Sequence, residues 1–229
     1  MARIKWFNNG CHYDKRFNCV GRKSEAPSGK LSSANFLFSY EKSKMQSKLK
    51  YTPAYCEENI WHLASDVRFR GLDVRVVLVT GPGSHRKLWY QRCSEHDALP
   101  VHWDYHVILL VWDDIWQVWD LDTTLEFPVN ASTYFRKTFY GPDESFQGNN
   151  VLFRTIDVDE YIENFSSDRS HMRLLSGDWA APPPSWPLIV KSEKSNLMKW
   201  LDSESDGPGK LLTLEQMIAF CSSPKNSCE

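Results

Sequence analysis

No two of the six cysteines, Cys11, Cys19, Cys56, Cys93, Cys221 and Cys228, stand in a C-x-x-C pair. A zinc site of standard spacing is therefore not expected, and neither is a disulfide scaffold. No run of about twenty apolar residues occurs, which argues against a transmembrane helix. The N-terminal stretch MARIKWFNNGCHYDKRFNC has no apolar core of the kind a secretory signal needs. Without a signal, the N-x-S/T triplets at Asn130 and Asn164 read as unmodified. No internal repeat is found. There is no G-x-S-x-G elbow either, so Ser170 and His171 read as loop residues and not as parts of a serine hydrolase. These absences point to a reduced, cytosolic or nuclear setting.

What is present is a chain of 229 residues with 41% hydrophobic content, long enough for one globular domain with its own core. Aromatics reach 14%, with ten tryptophans, which favours a well-filled core and walled clefts. Charge is uneven. Residues 1–50 hold 11 Lys/Arg against 3 Asp/Glu, a balance of +8, whereas residues 51–229 hold 16 against 26, a balance of −10. The first fifty residues also lack periodicity and contain the breaker-rich stretch GRKSEAPSGKLSSAN, so they are predicted to be a basic, disordered extension. A transit peptide or a nucleic-acid-binding tail would share that composition. The domain itself is predicted over 51–229.

Within it, Glu57 to Phe69 has helical spacing at Ile60, Trp61 and Ala64, with Gly71 as a stop. LDVRVVLVT reads as a buried strand and KLWYQR as another. VHWDYHVILLVW (Val101–Trp112) and IWQVWDLDT (Ile115–Thr123) read as two strands of a hairpin turning near Asp113–Asp114. ASTYFRKTF and VDEYIENF are predicted helices flanking the strand VLFRTIDV. Ser166 to Pro187 is irregular, a length that marks a functional or a disordered loop. TLEQMIAFC closes the domain as a helix, with Thr213 and Gln216 spaced as a capping box. Helix first, then an antiparallel meander, then mixed elements gives an α+β class.

The stretch YTPAYCEENIWHLASD places Cys56 at a helix start. Unpaired N–H groups and the positive end of the helix dipole favour a thiolate there, and the same groups suit an oxyanion beside the sulfur. Glu57 and Glu58 oppose the thiolate; they read as ordinary first-turn residues that the helix can turn away. A cysteine in this position also serves as a small buried hydrophobe. A nucleophile needs a base, and the base an orienter. His106 lies mid-strand in WDYHVILL, with Asp120 and Asp122 on the partner strand in VWDLDT and Asp104 two residues before it. An odd hairpin loop puts His106 on one face with Asp120 and Asp122; a two-residue loop separates them. Spacing alone leaves the three aspartates open. The chain order Cys, His, Asp is that of papain-like and transglutaminase-like enzymes.

The segments YCEENIW, WDYHVILL, DLDTTLEFP, NFSSDRSHM and GDWAAPPPSWP resemble, in order, those of protein N-terminal glutamine amidohydrolases. The resemblance runs from about Tyr51 to Cys221. It implies a papain/transglutaminase-like fold, with Cys56, His106 and Asp120 as the catalytic trio and neither metal nor cofactor. It implies removal of ammonia from the side chain of an N-terminal glutamine, a step that in eukaryotes prepares proteins for the arginylation branch of the N-degron pathway. Asp122 and Asp168 are the candidates for holding the substrate's α-ammonium. The expected partners are proteins or peptides with a free N-terminal Gln. Neither nucleic acid nor membrane is expected, the chain is expected to be a monomer, and its place is the cytoplasm and the nucleus. A peptidase or transglutaminase with the same trio, or an inert binder of N-terminal residues, are the alternatives.

Overall fold

The computed structural model describes residues 49–83, 85–145 and 150–223. The predicted extension, apart from its last two residues, lies outside them. The described part is α+β. Helix α1 (Cys56–Ala64) leads into a 3₁₀ turn (Val67–Phe69) and strand β1 (Asp73–Thr80). The strands β2 (Arg86–Leu88), β3 (Val101–Trp103), β4 (His106–Asp113), β5 (Ile115–Trp119) and β6 (Val129–Asn130) follow. Then come α2 (Ala131–Tyr140), β7 (Leu152–Asp157), α3 (Val158–Asn164), α4 (Leu197–Leu201), β8 (Lys210–Thr213) and α5 (Leu214–Ser222). Six strands form one antiparallel sheet in the order β6-β5-β4-β1-β7-β8, while β2 and β3 pair separately.

Strand alternation sorts the apolar residues onto the two faces of the sheet. Val74, Val76 and Leu78 of β1 and Val107, Leu109 and Val111 of β4 pack with Ile60 and Leu63 of α1 and with Tyr161 and Trp200. Val77, Val79, Ile108 and Leu110 face the other way, onto Tyr134, Phe135 and Phe139 of α2 and Met217 of α5. Helices thus cover both faces, which is why β1 and the centre of β4 read as nearly continuous apolar runs.

The helix predicted from Glu57 to Phe69 ends at Ala64, with a separate 3₁₀ turn at Val67–Phe69, and three strands are shorter than their apolar patterns predict, each for a local reason. The predicted strand over Val101–Trp112 breaks at Asp104–Tyr105. The Arg86 guanidinium donates to the carbonyls of Asp104 and Gly81 there, so β3 goes to β2 and β4 to β1. The strand expected at KLWYQR stops at Leu88, because the Trp89 N–H turns to Thr138 O and Tyr90 adopts φ 58°. The strand expected through Thr123 stops at Trp119, because Asp120 folds its own side chain onto the Asp122 N–H at 2.9 Å and starts a turn. Asp120 and Asp122 therefore stand just past the strand end. The β4–β5 ladder reaches Asp113↔Ile115, leaving Asp114 alone at the turn with φ 59°. Aspartate tolerates that left-handed conformation better than most residues. An odd turn pairs residues of like parity, as in Trp112↔Trp116, and beyond the end of the ladder His106, Asp120 and Asp122 still come together. The capping box at Thr213 and Gln216 is formed as the spacing predicts.

Candidate active site

The residues C-E-E-N that open α1 each do a different job. Cys56 is the first helical residue, and its N-cap, Tyr55, supplies no side-chain bond to the helix's free N–H groups. Glu57 and Glu58 do not turn to solvent: both are 0% exposed. Glu58 takes two bonds from Arg169, Nε to Oε1 and Nη2 to Oε2, both 2.7 Å, and a third from Trp186 Nε1 at 2.6 Å. Arg169 also donates to the carbonyls of Pro184 and Trp186. A buried ion pair thus ties α1 to the irregular segment Ser166–Pro187. Tyr55 adds a bond from its hydroxyl to Ala181 O at 3.0 Å. Asn59 bonds both the N–H and the C=O of Thr52 at 2.8 Å, fixing the chain that leads into the helix.

Glu57 points to the sulfur. The Cys56 thiol donates to Glu57 Oε2 at 3.8 Å, and the Tyr105 hydroxyl donates to the same oxygen at 3.0 Å. His171 Nε2 lies 3.0 Å from the Tyr105 oxygen and 3.3 Å from Glu57 Oε1. His171 is accordingly not a bystander of its loop. Burial pushes the Cys56 thiol well up from its ordinary value, and the Glu57 charge pushes in the same direction. The resting sulfur is therefore protonated, and the helix N-terminus does not by itself make a thiolate. The Val107 backbone amide, one residue past His106, hydrogen-bonds the sulfur and works against that rise.

His106 and Asp120 meet. His106 Nε2 lies 2.9 Å from Asp120 Oδ1, both residues are buried, and the imidazole stacks on Trp103 with ring centres 5.7 Å apart. His106 Nδ1 has no hydrogen-bond partner among the described residues. Burial alone would depress the imidazolium, but the Asp120 carboxylate outweighs it and the pKa is raised. Asp120 is also opposed by burial, yet His106 and the N–H and O–H donors around it hold its pKa below the usual carboxylate range. Those donors are the Asp122 N–H at 2.9 Å, the Tyr134 hydroxyl at 2.8 Å and Gln91 Nε2 at 3.3 Å.

Asp122 lies beside the pair and accepts the Tyr51 hydroxyl at 2.5 Å. Burial and then the neighbouring Asp120 charge raise its pKa, the opposite direction to that of Asp120. Asp104, the third aspartate left open by spacing, faces His85 at 3.8 Å. Asp168 is exposed and caps a turn, its Oδ1 accepting the Ser170 N–H at 2.9 Å. His106, Asp120 and Asp122 bring ligand atoms within 4.8 Å of one another, close enough for a metal ion. However, Asp120 already accepts four hydrogen bonds, which occupies the acceptor positions of both its oxygens. An ion would have to displace them.

Glu57, Glu58, Gln91, Tyr134, Arg169 and His171 carry no signature that sequence reasoning assigns to a site. Several of their side-chain partners are far away along the chain: Gln91 and Asp120 are 29 residues apart, Glu57 and Tyr105 48, Arg169 and Glu58 111, and Trp186 and Glu58 128.

The sequence profile of the family described as N-terminal glutamine amidase matches residues 51–221. Similar proteins include the protein N-terminal glutamine amidohydrolase of Bos taurus, 35% identical over 73% of this chain and 84% of that one. The Homo sapiens protein of the same name is 36% identical over 72% and 84%. That of Drosophila melanogaster is 35% identical over 78% and 91%.

Proposed function

Because the chain belongs to the N-terminal glutamine amidase family, we propose that it is an amidohydrolase converting the N-terminal glutamine of proteins or peptides to glutamate, with release of ammonia, through Cys56, His106 and Asp120. The observation that carries the mechanism is the buried His106–Asp120 contact at 2.9 Å, with the adjacent Val107 amide on the Cys56 sulfur.

The Cys56 thiol gives its proton to His106 Nδ1, and the sulfur attacks the side-chain carboxamide carbon. The carbonyl oxygen becomes an oxyanion, met by uncapped N–H groups of the first turn of α1. The imidazolium returns its proton to the amide nitrogen as the C–N bond breaks, releasing ammonia and leaving a γ-thioester. His106 then takes a proton from water, the hydroxide adds to the thioester carbon, and the thiol leaves with that proton, giving glutamate. Asp120 holds the Nε2 proton in place throughout, which keeps Nδ1 as the working nitrogen.

The fold is read as papain/transglutaminase-like, supported by a nucleophile at the head of a helix packed on an antiparallel sheet that carries the base. The domain is taken as 51–229, the reaction as a feed to the arginylation branch of the N-degron pathway, and the setting as cytoplasmic and nuclear. A monomer acting on free N-terminal Gln, without nucleic acid or membrane, completes the reading. Among the described residues no helix is long and apolar enough to cross a membrane.

The test is mass spectrometry of a Gln-initiated peptide with the pure protein. The expected result is amide-to-acid exchange at the first residue with one ammonia per peptide. Cleavage of the chain would replace this reading with a peptidase, and an unchanged bound peptide would replace it with an inert binder.

A further inference from the structure

Two glutamates adjacent in sequence are buried side by side in α1, and they are bonded very differently. Glu58 is fully paired by Arg169 and Trp186. Glu57 receives only a thiol and a phenol on Oε2, and its Oε1 has no hydrogen-bond partner among the described residues, although His171 Nε2 lies 3.3 Å away. A carboxylate held out of water without a full complement of donors is costly unless a cation meets it.

We infer that Glu57 is the residue that recognises the free α-ammonium of the substrate, together with the Tyr105 hydroxyl and His171 Nε2. The inference rests on the amidohydrolase reading for the identity of the substrate. The three groups form a compact set, with contacts of 3.0 Å, 3.0 Å and 3.3 Å among them. An ammonium has three N–H donors to offer such a set. Glu57 itself is buried, and Tyr105 and His171 are the partly buried members of the set.

The position suits the chemistry. In a glutamine the ammonium nitrogen and the amide carbon are four bonds apart, about 3–5 Å depending on rotamer. Glu57 Oε2 stands 3.8 Å from the sulfur that must attack that carbon. The Glu57 carboxylate thus lies within about the length of one glutamine from the sulfur. An asparagine is a methylene too short. An acetylated or internal Gln leaves Glu57 unmatched. The aspartates expected in this role are otherwise engaged, Asp168 at an exposed turn and Asp122 with Tyr51.

Recognition is also coupled to reaction. The Glu57 charge is the second cause, after burial, that keeps the Cys56 proton on sulfur. A bound ammonium offsets that charge and frees the thiol to give its proton to His106, so the nucleophile forms when a free terminus is in place.

The experiment combines binding and turnover. In Cys56→Ala protein, which cannot react, calorimetry is run with a Gln-initiated peptide and its acetylated twin, with and without Glu57→Gln. The free terminus is expected to bind at least about tenfold tighter, and Glu57→Gln to erase that preference. With Cys56 intact, Glu57→Gln is expected to lower kcat/KM for the free peptide by about a hundredfold or more while acetyl-Gln changes little. A merely structural Glu57 would weaken both peptides alike, and an unchanged preference in Glu57→Gln overturns the inference. Should Glu57→Gln not fold by circular dichroism, Glu57→Asp carries the test. It keeps the charge but withdraws it by a methylene, so a wild-type KM for the free peptide would overturn the inference. Failure of the wild type to release ammonia would refute the amidohydrolase reading instead, and the calorimetry would still decide the anchor.

Discussion

Burial and then Glu57 push the Cys56 thiol pKa up, so the proposed mechanism needs the thiol to pass its proton to a partner. No other side chain of similar size supplies a sulfur nucleophile, so Cys56→Ala and Cys56→Ser are each expected to lower deamidation by about a thousandfold or more with the fold intact. Near-normal ammonia release from pure Cys56→Ala would contradict this role. Asp120 acts on His106 in a direction that can be checked. It is the carboxylate that lifts the imidazolium against burial. In Asp120→Asn burial remains, and the His106 titration seen by NMR is expected to move to lower pH. Activity is expected to fall by about 10³–10⁴ through loss of the correct tautomer. The stability sign follows from the same shift. A raised histidine pKa stabilises the fold fully below the unfolded value of about 6.5 and loses that contribution as pH rises through the folded value. The deficit of Asp120→Asn against wild type is therefore expected to be larger near pH ~6 than near pH ~9 in denaturant melts. An equal or reversed deficit would contradict the assignment. His106 and its aspartates were visible in the sequence because a lone imidazole and two acids in apolar runs need partners. Glu57 and His171 were not, because nothing local distinguishes an inward first-turn glutamate from an outward one.

At the scale of elements, the proposed active site is drawn from α1, the start of β4 and the turn after β5. The segment Ser166–Pro187 is bound to α1 through Arg169. Removing one partner of a buried ion pair leaves the other charge uncompensated. Arg169→Met is accordingly expected to cost about 3–5 kcal/mol in denaturant unfolding, and adding Glu58→Gln to restore part of it. A loss under about 1 kcal/mol for the single substitution would mean that the pair does not hold the loop. Elements with long apolar patterns, such as β1, α2 and β7, were legible because period and length agree. The odd hairpin parity was one of two outcomes the pattern allowed; Asp114 in the left-handed region decided it. The strands β6 and β8 and helix α4, at 2, 4 and 5 residues, are too short to show a period and exist because neighbouring strands and the core accept them. The break between β3 and β4 depends on Arg86, 18 residues before the carbonyl it binds, and strand propensity does not register such a bond.

Across the whole molecule, residues 51–229 carry −10 and residues 1–50 carry +8. Leu49 and Tyr51 pack against the core, and Tyr51 bonds Asp122, so among the described residues contacts with the core are present from Leu49 on. A chain starting at Lys48 is expected to fold and to turn over Gln peptides at a rate within a few-fold of the full chain. Insolubility or loss of activity on truncation would make residues 1–50 part of the domain. The two-faced sheet was legible as a class, since runs of β-branched residues imply burial on both sides. Its strand order, with β1 between β4 and β7, was not, because pairing between strands distant in sequence leaves no local mark. What the whole assembly does is tested most directly by one panel: deamidation rates of matched peptides beginning with Gln, acetyl-Gln, Asn and Gly-Gln. The expected result is ammonia from the free Gln peptide, with the other three slower by about a hundredfold or more, since misplacement of the reacting carbon by a single bond costs rate on that scale. Equal rates on Gln and Gly-Gln would contradict the account, because a terminus that need not be free has no pocket to recognise it.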